Sequence, residues 1–300
     1  MRWIERIQNA IDYIEEHITE KIDYAQIAKQ AFCSSYHFQR VFGITCGVTV
    51  GEYIRMRKLT LAGETLINSK EKVIDVAYKF GYDTPESFSR AFYKFHKVLP
   101  SKIKGCKLNF FPRMTINFDV LNDKAMKYKV ENLPEKILFG YKKRFSGVPY
   151  GAERERQEKE FFTTTRFKQW LLLGASCDYS TDYCIITDVD DDGYNFYIAY
   201  QLDEYTIQDL FDPKVTGVNF VNDLNFEKIV IPKGKYLIFE TEKKKYPIVD
   251  YLDIRNKIIT DWLPKTNYNL IDAPEVTVMH WRPKGEWQKE RYIEIRLPIE

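Results

Sequence analysis

The sequence predicts a multidomain protein: an all-α part with two helix-turn-helix units over residues 1–108, a linker over 109–123, and an α+β part over 124–300 built from two strand-strand-helix-strand repeats. Three observations carry this. The stretch Ser34–Phe42, Ser-Ser-Tyr-His-Phe-Gln-Arg-Val-Phe, returns fifty residues later as Thr84–Phe92, Thr-Pro-Glu-Ser-Phe-Ser-Arg-Ala-Phe. Beyond residue 124 the hydrophobic pattern changes from helical spacing to short, often alternating runs of β-branched and aromatic residues. Within that part, Val130–Tyr141 resembles Lys228–Phe239, which suggests an internal duplication.

Taken in order, Trp3, Ile4, Ile7, Ile11, Ile14 and Ile18 recur at helical spacing and predict an opening amphipathic helix that covers the first unit. Short helices follow at Asp23–Phe32 and Val73–Gly81, each with a small residue, Ala28 or Ala77, that permits close crossing of a second helix. That second helix starts at Ser34 in one copy and Thr84 in the other. Both are hydroxyl residues suited to capping a helix N-terminus, and Pro85 occupies a first helical position where no donor is lost. Phe38 and Phe42, like Phe88 and Phe92, share one helical face, so Arg40 and Arg90 are expected to project outward from the other. A Gly-bounded turn over Thr45–Gly51 leads into a long helix, Glu52–Asn68, that reads as a spacer between the two units.

A tight turn followed by a capped helix is a helix-turn-helix, whose second helix enters a DNA major groove. Ala28, Ser34, Phe38, Arg40, Phe42, Gly47 and Tyr53, with Ile74, Ala77, Gly81, Phe88, Arg90, Phe92 and Pro100, give this part a resemblance to the AraC/XylS family of bacterial transcription regulators. The resemblance implies homeodomain-like units whose reader helices lie roughly one DNA turn, about 34 Å, apart. By the family's pattern the DNA-binding positions are Ser35, Tyr36, Gln39 and Arg40 in the first copy and Thr84, Glu86, Ser87 and Arg90 in the second. Gln suits adenine and Arg suits guanine because each can make two hydrogen bonds to a base edge. A phosphate contact and a structural pairing are the alternatives for both arginines. Glu86 departs from the uncharged residues usual there and also reads as a helix N-terminal charge favoured by the macrodipole.

Charge distribution agrees. Residues 1–108 carry 17 Lys and Arg against 12 Asp and Glu, a net +5, whereas the other 192 residues carry 28 against 31, a net −3. A positive surface neutralises phosphates, the main source of non-specific DNA affinity.

The second part is expected to place strands at Met126–Asn132, Lys136–Phe145, Tyr194–Gln201, Phe226–Ile231, Lys235–Thr241, Glu275–Trp281 and Arg291–Pro298, with helices at Glu153–Leu172 and Pro247–Asp261. Two such repeats leave a groove at their junction, a place for a small ligand. Pro134–Gly140, Pro232–Tyr236, Trp262–Pro264, Pro274–Glu275 and Tyr292–Ile299 resemble the GyrI-like effector-binding domain. That resemblance implies a hydrophobic, often cationic small-molecule effector held by a buried acid among aromatic walls. Glu294 matches the acid best, and Trp170, Tyr197, Trp262 and Trp281 are candidate walls, each adding cation–π energy of about 0.5–2 kcal/mol. The competing reading sets Tyr292, Glu294 and Arg296 on a solvent-facing strand as an ion pair.

Other chemistry is weakly signalled. Five cysteines (Cys33, Cys46, Cys106, Cys177, Cys184) form no CxxC pair, so free thiols are favoured over disulfides or zinc, with Cys177 and Cys184 a secondary redox candidate. His37 and His96 have no companions at ligand spacing, and Asp188–Asp192 lacks the spaced ligands of a calcium loop, so it reads as a solvated turn. No metal or cofactor is therefore expected. The absence of an eighteen-residue apolar run, and the charges in Met1–Arg6, point to a cytoplasmic protein with no membrane partner. The leading expectation is a one-chain transcription regulator that binds double-stranded promoter DNA and a small effector, with RNA polymerase as a further candidate partner. Its rivals are a hydrolase, since some relatives of the second domain use a glutamate among aromatics, and a module that binds protein. No nucleophile elbow or His-based triad supports the hydrolase.

Overall fold

The computed structural model describes residues 3–103, 105–116, 126–178, 180–203, 206, 209, 212, 214, 217, 219–258, 262–263, 266, 268–281 and 290–300. The chain divides into two units, Met1–Val120 and Leu121–Glu300.

The first unit is helical: α1 Trp3–Glu16, α2 Tyr24–Gln30, α3 Ser35–Cys46, α4 Val50–Asn68, α5 Val73–Lys79 and α6 Pro85–His96. Ile7, Ala10, Ile11 and Ile14 of α1 are fully buried, as the helical spacing requires. Ser34 Oγ accepts from the His37 amide at 3.2 Å and Thr84 Oγ1 from the Ser87 amide at 3.1 Å, so both reader helices begin where hydroxyl caps predict. Inside them the Phe38 ring packs tilted against Phe42 (5.5 Å between centroids) and Phe88 against Phe92 (5.4 Å), the same pairing in each copy. The expected turn over Thr45–Gly51 is shorter: α3 runs to Cys46, Gly47 takes φ +71°, and a Thr49/Glu52 capping box starts α4 at Val50. With 19 residues, α4 is about 28 Å long at 1.5 Å per residue. Leu59 and Ala62 of α4 join Val76, Ala77, Phe80, Phe88, Phe92 and Ile103 in one buried cluster. Truncating a ring such as Phe92 there costs about 3–5 kcal/mol.

The start of the stretch expected as a linker is bound to this unit. The Phe111 amide donates to Thr60 Oγ1 (3.1 Å) and its carbonyl accepts from Arg57 Nη1 (2.6 Å). Arg113 pairs with Asp12 at 2.7 Å, and the Ile116 amide donates to Gln8 Oε1 at 3.0 Å. Residues 109–116 are thus a strap along α1 and α4, held by side chains and so without a periodic sequence signature.

Among its described residues the second unit forms one antiparallel sheet of eight strands: β1 Lys129–Leu133, β2 Lys136–Ser146, β3 Thr181–Thr187, β4 Gly193–Tyr200, β5 Glu227–Ile231, β6 Gly234–Glu240, β7 Glu275–His280 and β8 Tyr292–Ile299, in the order β1-β6-β8-β7-β3-β4-β2-β5. Helices α7 Gly151–Thr164, α8 Arg166–Ala175, α9 Phe220–Leu224 and α10 Ile248–Lys257 lie between strands. The order is itself a duplication. Each half runs strand-strand-helix-strand-strand, and each half's opening strand pairs with the other half: β1 with β6 and β5 with β2. The halves meet where β3 pairs with β7.

Two expectations change. The first repeat has a strand the sequence does not mark, β3. It is buried on both faces at Tyr183, Cys184, Ile185 and Ile186, which erases the alternation. The single helix expected over Glu153–Leu172 is two, broken at Thr165, whose hydroxyl donates to Phe161 O at 2.6 Å and accepts from Tyr141 Oη at 2.9 Å. Gly193 is fixed by packing: at φ +153° an added Cβ would sit 1.9 Å from Phe145 O. The expected helix end at Asp261 and the Pro264 of the Trp-Leu-Pro motif lie outside the described residues.

Candidate nucleic-acid interface and effector site

On α3, Ser35, Tyr36 and Gln39 are partly exposed, and Gln39 Nε2 donates to Ser35 Oγ at 3.2 Å. On α6 and its cap, Thr84, Glu86 and Arg90 are exposed and Ser87 partly so. Arg40 corrects the expectation of an arginine presented outward twice. It is 3% exposed, its guanidinium carbon 5.9 Å from the Tyr36 ring centroid, while Arg90 at the same register is open to solvent. Sequence register fixes the helical face of both arginines but not how deeply neighbouring elements cover each.

The turns between helices differ as well. Phe32 follows α2 at φ +53° and is 68% exposed, whereas the corresponding place after α5 holds Gly81 at φ +79°. A bulky residue in the left-handed region costs about 1–2 kcal/mol relative to glycine, so this site is strained in the first copy.

In the second unit the five expected effector contacts do not come together. Trp170 projects from α8 and is 72% exposed. Trp262 packs on Phe239 (4.9 Å), Tyr128 (4.8 Å) and Tyr268 (5.8 Å) on the helix-bearing face. Trp281 is partly buried after β7, its amide donating to Ser180 O at 3.0 Å. Tyr197 and Glu294 share the opposite face but belong to different halves, where the duplicated register gives them equivalent places on β4 and β8.

Glu294 is buried, against the reading of a solvent-facing strand. It is 6% exposed, accepting from Arg296 Nε at 2.8 Å and from His280 Nε2 at 3.2 Å. Burial raises its pKa, but the His280 and Arg296 contacts outweigh that and take it down to about 2.

A second buried acid, which the sequence reading did not single out, lies on the helix-bearing face where the halves meet. Glu275 opens β7, 2% exposed. Its Oε1 accepts from Arg255 Nη2 of α10 at 2.6 Å, and its Oε2 accepts from Tyr150 Oη at 3.4 Å. Arg154 of α7, 2% exposed, pairs with Glu158 at 3.1 Å. Arg154 Nη2 and Arg255 Nη1 both donate to Tyr251 Oη, at 3.2 and 3.4 Å, so one phenol bridges two guanidinium groups. Rings close round them: Phe196 lies 5.6 Å from Arg154 Cζ, and Tyr150 lies 5.3 Å from Arg255 Cζ. Burial works against the charge of Arg154, but Glu158 and the neighbouring phenols and Glu275 hold its pKa well above the usual value. Burial also pushes the Tyr194 phenol up, with both arginines opposing. A sequence signal existed only in the spacing of acid and base on strand and helix, which is too common to be specific.

The remaining candidates have structural settings. The acids of Asp188–Asp192 form the β3–β4 turn: Asp190 pairs with Arg144 and accepts from the Gly193 amide at 3.0 Å. Among the described residues, no group of three His, Cys, Asp or Glu side chains could hold a metal ion, and no helix is long and apolar enough to cross a membrane. All five cysteines are free thiols; burial pushes Cys33 and Cys46 up to about 12, and Cys184 lies buried in β3 while Cys177 is exposed.

Fold and sites together define a DNA-binding protein of the double helix-turn-helix type that carries a ligand-binding α+β domain. Comparison with known proteins agrees: residues 27–105 match a helix-turn-helix domain family and residues 126–300 match the GyrI-like small molecule binding domain family. The regulatory protein SoxS of Salmonella typhimurium is 36% identical over 95 residues, covering 32% of this chain and 89% of SoxS. The uncharacterized regulator YbfP of Bacillus subtilis is 31% identical over 115 residues, 38% of either chain, so the match spans well under half of YbfP's length. A solved structure of SAV2435 bound to tetraphenylphosphonium is similar to 58% of this chain and 94% of that one at a TM-score of 0.41 and 15% identity. The chain belongs to the AraC/XylS-type regulators by its first unit and to the GyrI-like small-molecule-binding family by its second.

Proposed function

We propose that this protein is a ligand-responsive transcription regulator that reads two successive major-groove segments of a promoter with α3 and α6 and takes a small effector on the helix-bearing face of its second unit. The observation that carries the reading is the duplicated reader helix, capped by Ser34 and Thr84 at the same register, with Arg90, Glu86 and Thr84 exposed. The basic balance of the first 108 residues supports it, as does the kinship with SoxS. In this reading Tyr36, Gln39 and Ser35 contact DNA from α3, and Arg90 with Ser87 from α6. Arg40 acts by holding Tyr36 in place.

The effector site proposed is the Tyr150–Arg154–Tyr194–Tyr251–Arg255–Glu275 cluster, because both halves contribute buried polar groups among aromatic rings there. A regulator is favoured over a hydrolase because the relatives of the first unit are transcription regulators. A gel-shift against genomic fragments tests this: sequence-selective retardation that Arg90→Ala weakens is expected. Equal retardation of all fragments, indifferent to Arg90→Ala, overturns it.

A further inference from the structure

The two reader helices are joined through α4, which sets Tyr53 against Phe42 of α3 and puts Leu59 and Ala62 in the cluster round Phe88 and Phe92 of α6. A second connection runs beside it, the chain over residues 108–116, and it too reaches both copies. At its start Leu108 packs on the second copy's cluster. Asn109 Nδ2 donates to Phe95 O at 2.6 Å, satisfying one of the carbonyls that the end of α6 leaves open. Gly63 of α4 makes room for this: a Cβ there would sit 2.8 Å from Leu108 Cδ1 and 3.2 Å from His96, the last residue of α6. Further on, the Phe111 ring meets Tyr53 edge-on at 6.0 Å, and Tyr53 meets Phe42 in the same way at 5.7 Å. Arg113 and Ile116 then tie the chain to α1, at Asp12 and Gln8.

A single long helix between two small bodies lets them bend about it, whereas a second tie on a different line removes that freedom. Resting on the reading of α3 and α6 as paired groove readers, we propose that the 108–116 strap is a brace that sets their distance and angle, with Asn109, Phe111 and Arg113 as positioning residues for DNA recognition. Two readers on one rigid frame gain affinity because the second meets its segment at a high effective concentration, and that gain exists only at the matching spacing. Loosening the frame weakens binding at the right spacing and raises tolerance of a wrong one.

A duplex selected from a random pool on the full chain supplies the probe. Inserting one or two base pairs between its two protected segments tests the brace, since each added pair turns one segment about 34° from the other. Wild type is expected to lose about fiftyfold or more in affinity on a two-pair insertion. The double variant Asn109→Ala with Arg113→Ala deletes two exposed side-chain ties and leaves the buried core intact. It should bind the uninserted probe about fivefold more weakly, lose about tenfold or less on insertion, and keep its melting temperature. Phe111→Ala should flatten the spacing dependence further, and Arg113→Lys, which keeps a cation opposite Asp12, should retain the wild-type dependence. A merely structural role predicts weaker binding or a lower melting temperature with the spacing dependence unchanged. That result in both the double variant and Phe111→Ala would overturn the brace and leave the readers standing. A wild-type chain indifferent to insertion would overturn the readers and the brace together.

Discussion

Glu15 and Arg57 meet in a two-point ion pair, Oε1 to Nε and Oε2 to Nη2, each at 2.8 Å, that joins α1 to α4. Tyr53 Oη donates to the same carboxylate at 2.7 Å, and Arg57 Nη1 reaches on to Phe111 O. Both side chains of the pair are under 10% exposed, so neither charge has water to fall back on. Removing one partner of a buried pair costs about 3–5 kcal/mol. Arg57→Met is therefore expected to lower the unfolding free energy of the first unit, read from urea titration, by that amount. It should also abolish amide-exchange protection at Phe111, Met114 and Ile116, the strap amides bonded to Thr60, Tyr53 and Gln8.

Arg40 and Arg90 should separate by experiment as they do in burial. Arg90→Ala is expected to weaken specific DNA binding by about 1–3 kcal/mol, roughly five- to 150-fold, at an unchanged melting temperature. Arg40→Ala should instead lower the melting temperature, since it removes packing against Tyr36. Fluorescence anisotropy and thermal unfolding of the two variants decide the point.

Phe32→Gly should stabilise the first unit by about 0.5–1 kcal/mol. Relief of left-handed strain exceeds the loss of a mostly exposed ring and the entropy of a glycine. A denaturation midpoint below wild type would show that the exposed ring, not the backbone, matters for stability.

Glu294 makes stability depend on acid. Its folded pKa, about 2, lies below the ordinary 4.5, so the folded state favours the ionised form. The contribution is fully present above pH 4.5 and is lost as pH falls from there towards 2. Glu294→Gln should flatten the pH dependence of the melting temperature in that window and leave it unchanged above.

What the sequence made legible was whatever repeats or alternates. Ser34 with Thr84, and Phe38/Phe42 with Phe88/Phe92, announced the reader helices because capping and helical spacing are local. The likeness of Val130–Tyr141 to Lys228–Phe239 announced the two halves, whose opening strands β1 and β5 keep the same offset. Strand β3 was hidden because burial on both faces removes alternation. The fate of Arg40 was hidden because depth depends on neighbours distant in sequence. How the expected effector residues divide between the two faces was hidden for a related reason. Glu294 and Tyr197 are on one face and Trp262 is on the other, and which face of a strand meets a helix is set by the crossovers between strands. The strap over 109–116 was read as a linker because its bonds run to Asp12, Tyr53, Arg57 and Thr60, far off in the chain.

The central claim is that one chain carries two groove readers. Hydroxyl-radical footprinting with the protein at a concentration where sedimentation shows a monomer tests it most directly. Two protected segments on one face of the DNA, about 10 base pairs apart centre to centre, with the segment lost in Arg90→Ala being one of the two, is the predicted result. A single protected segment, or two that emerge only when the protein dimerises, would contradict it.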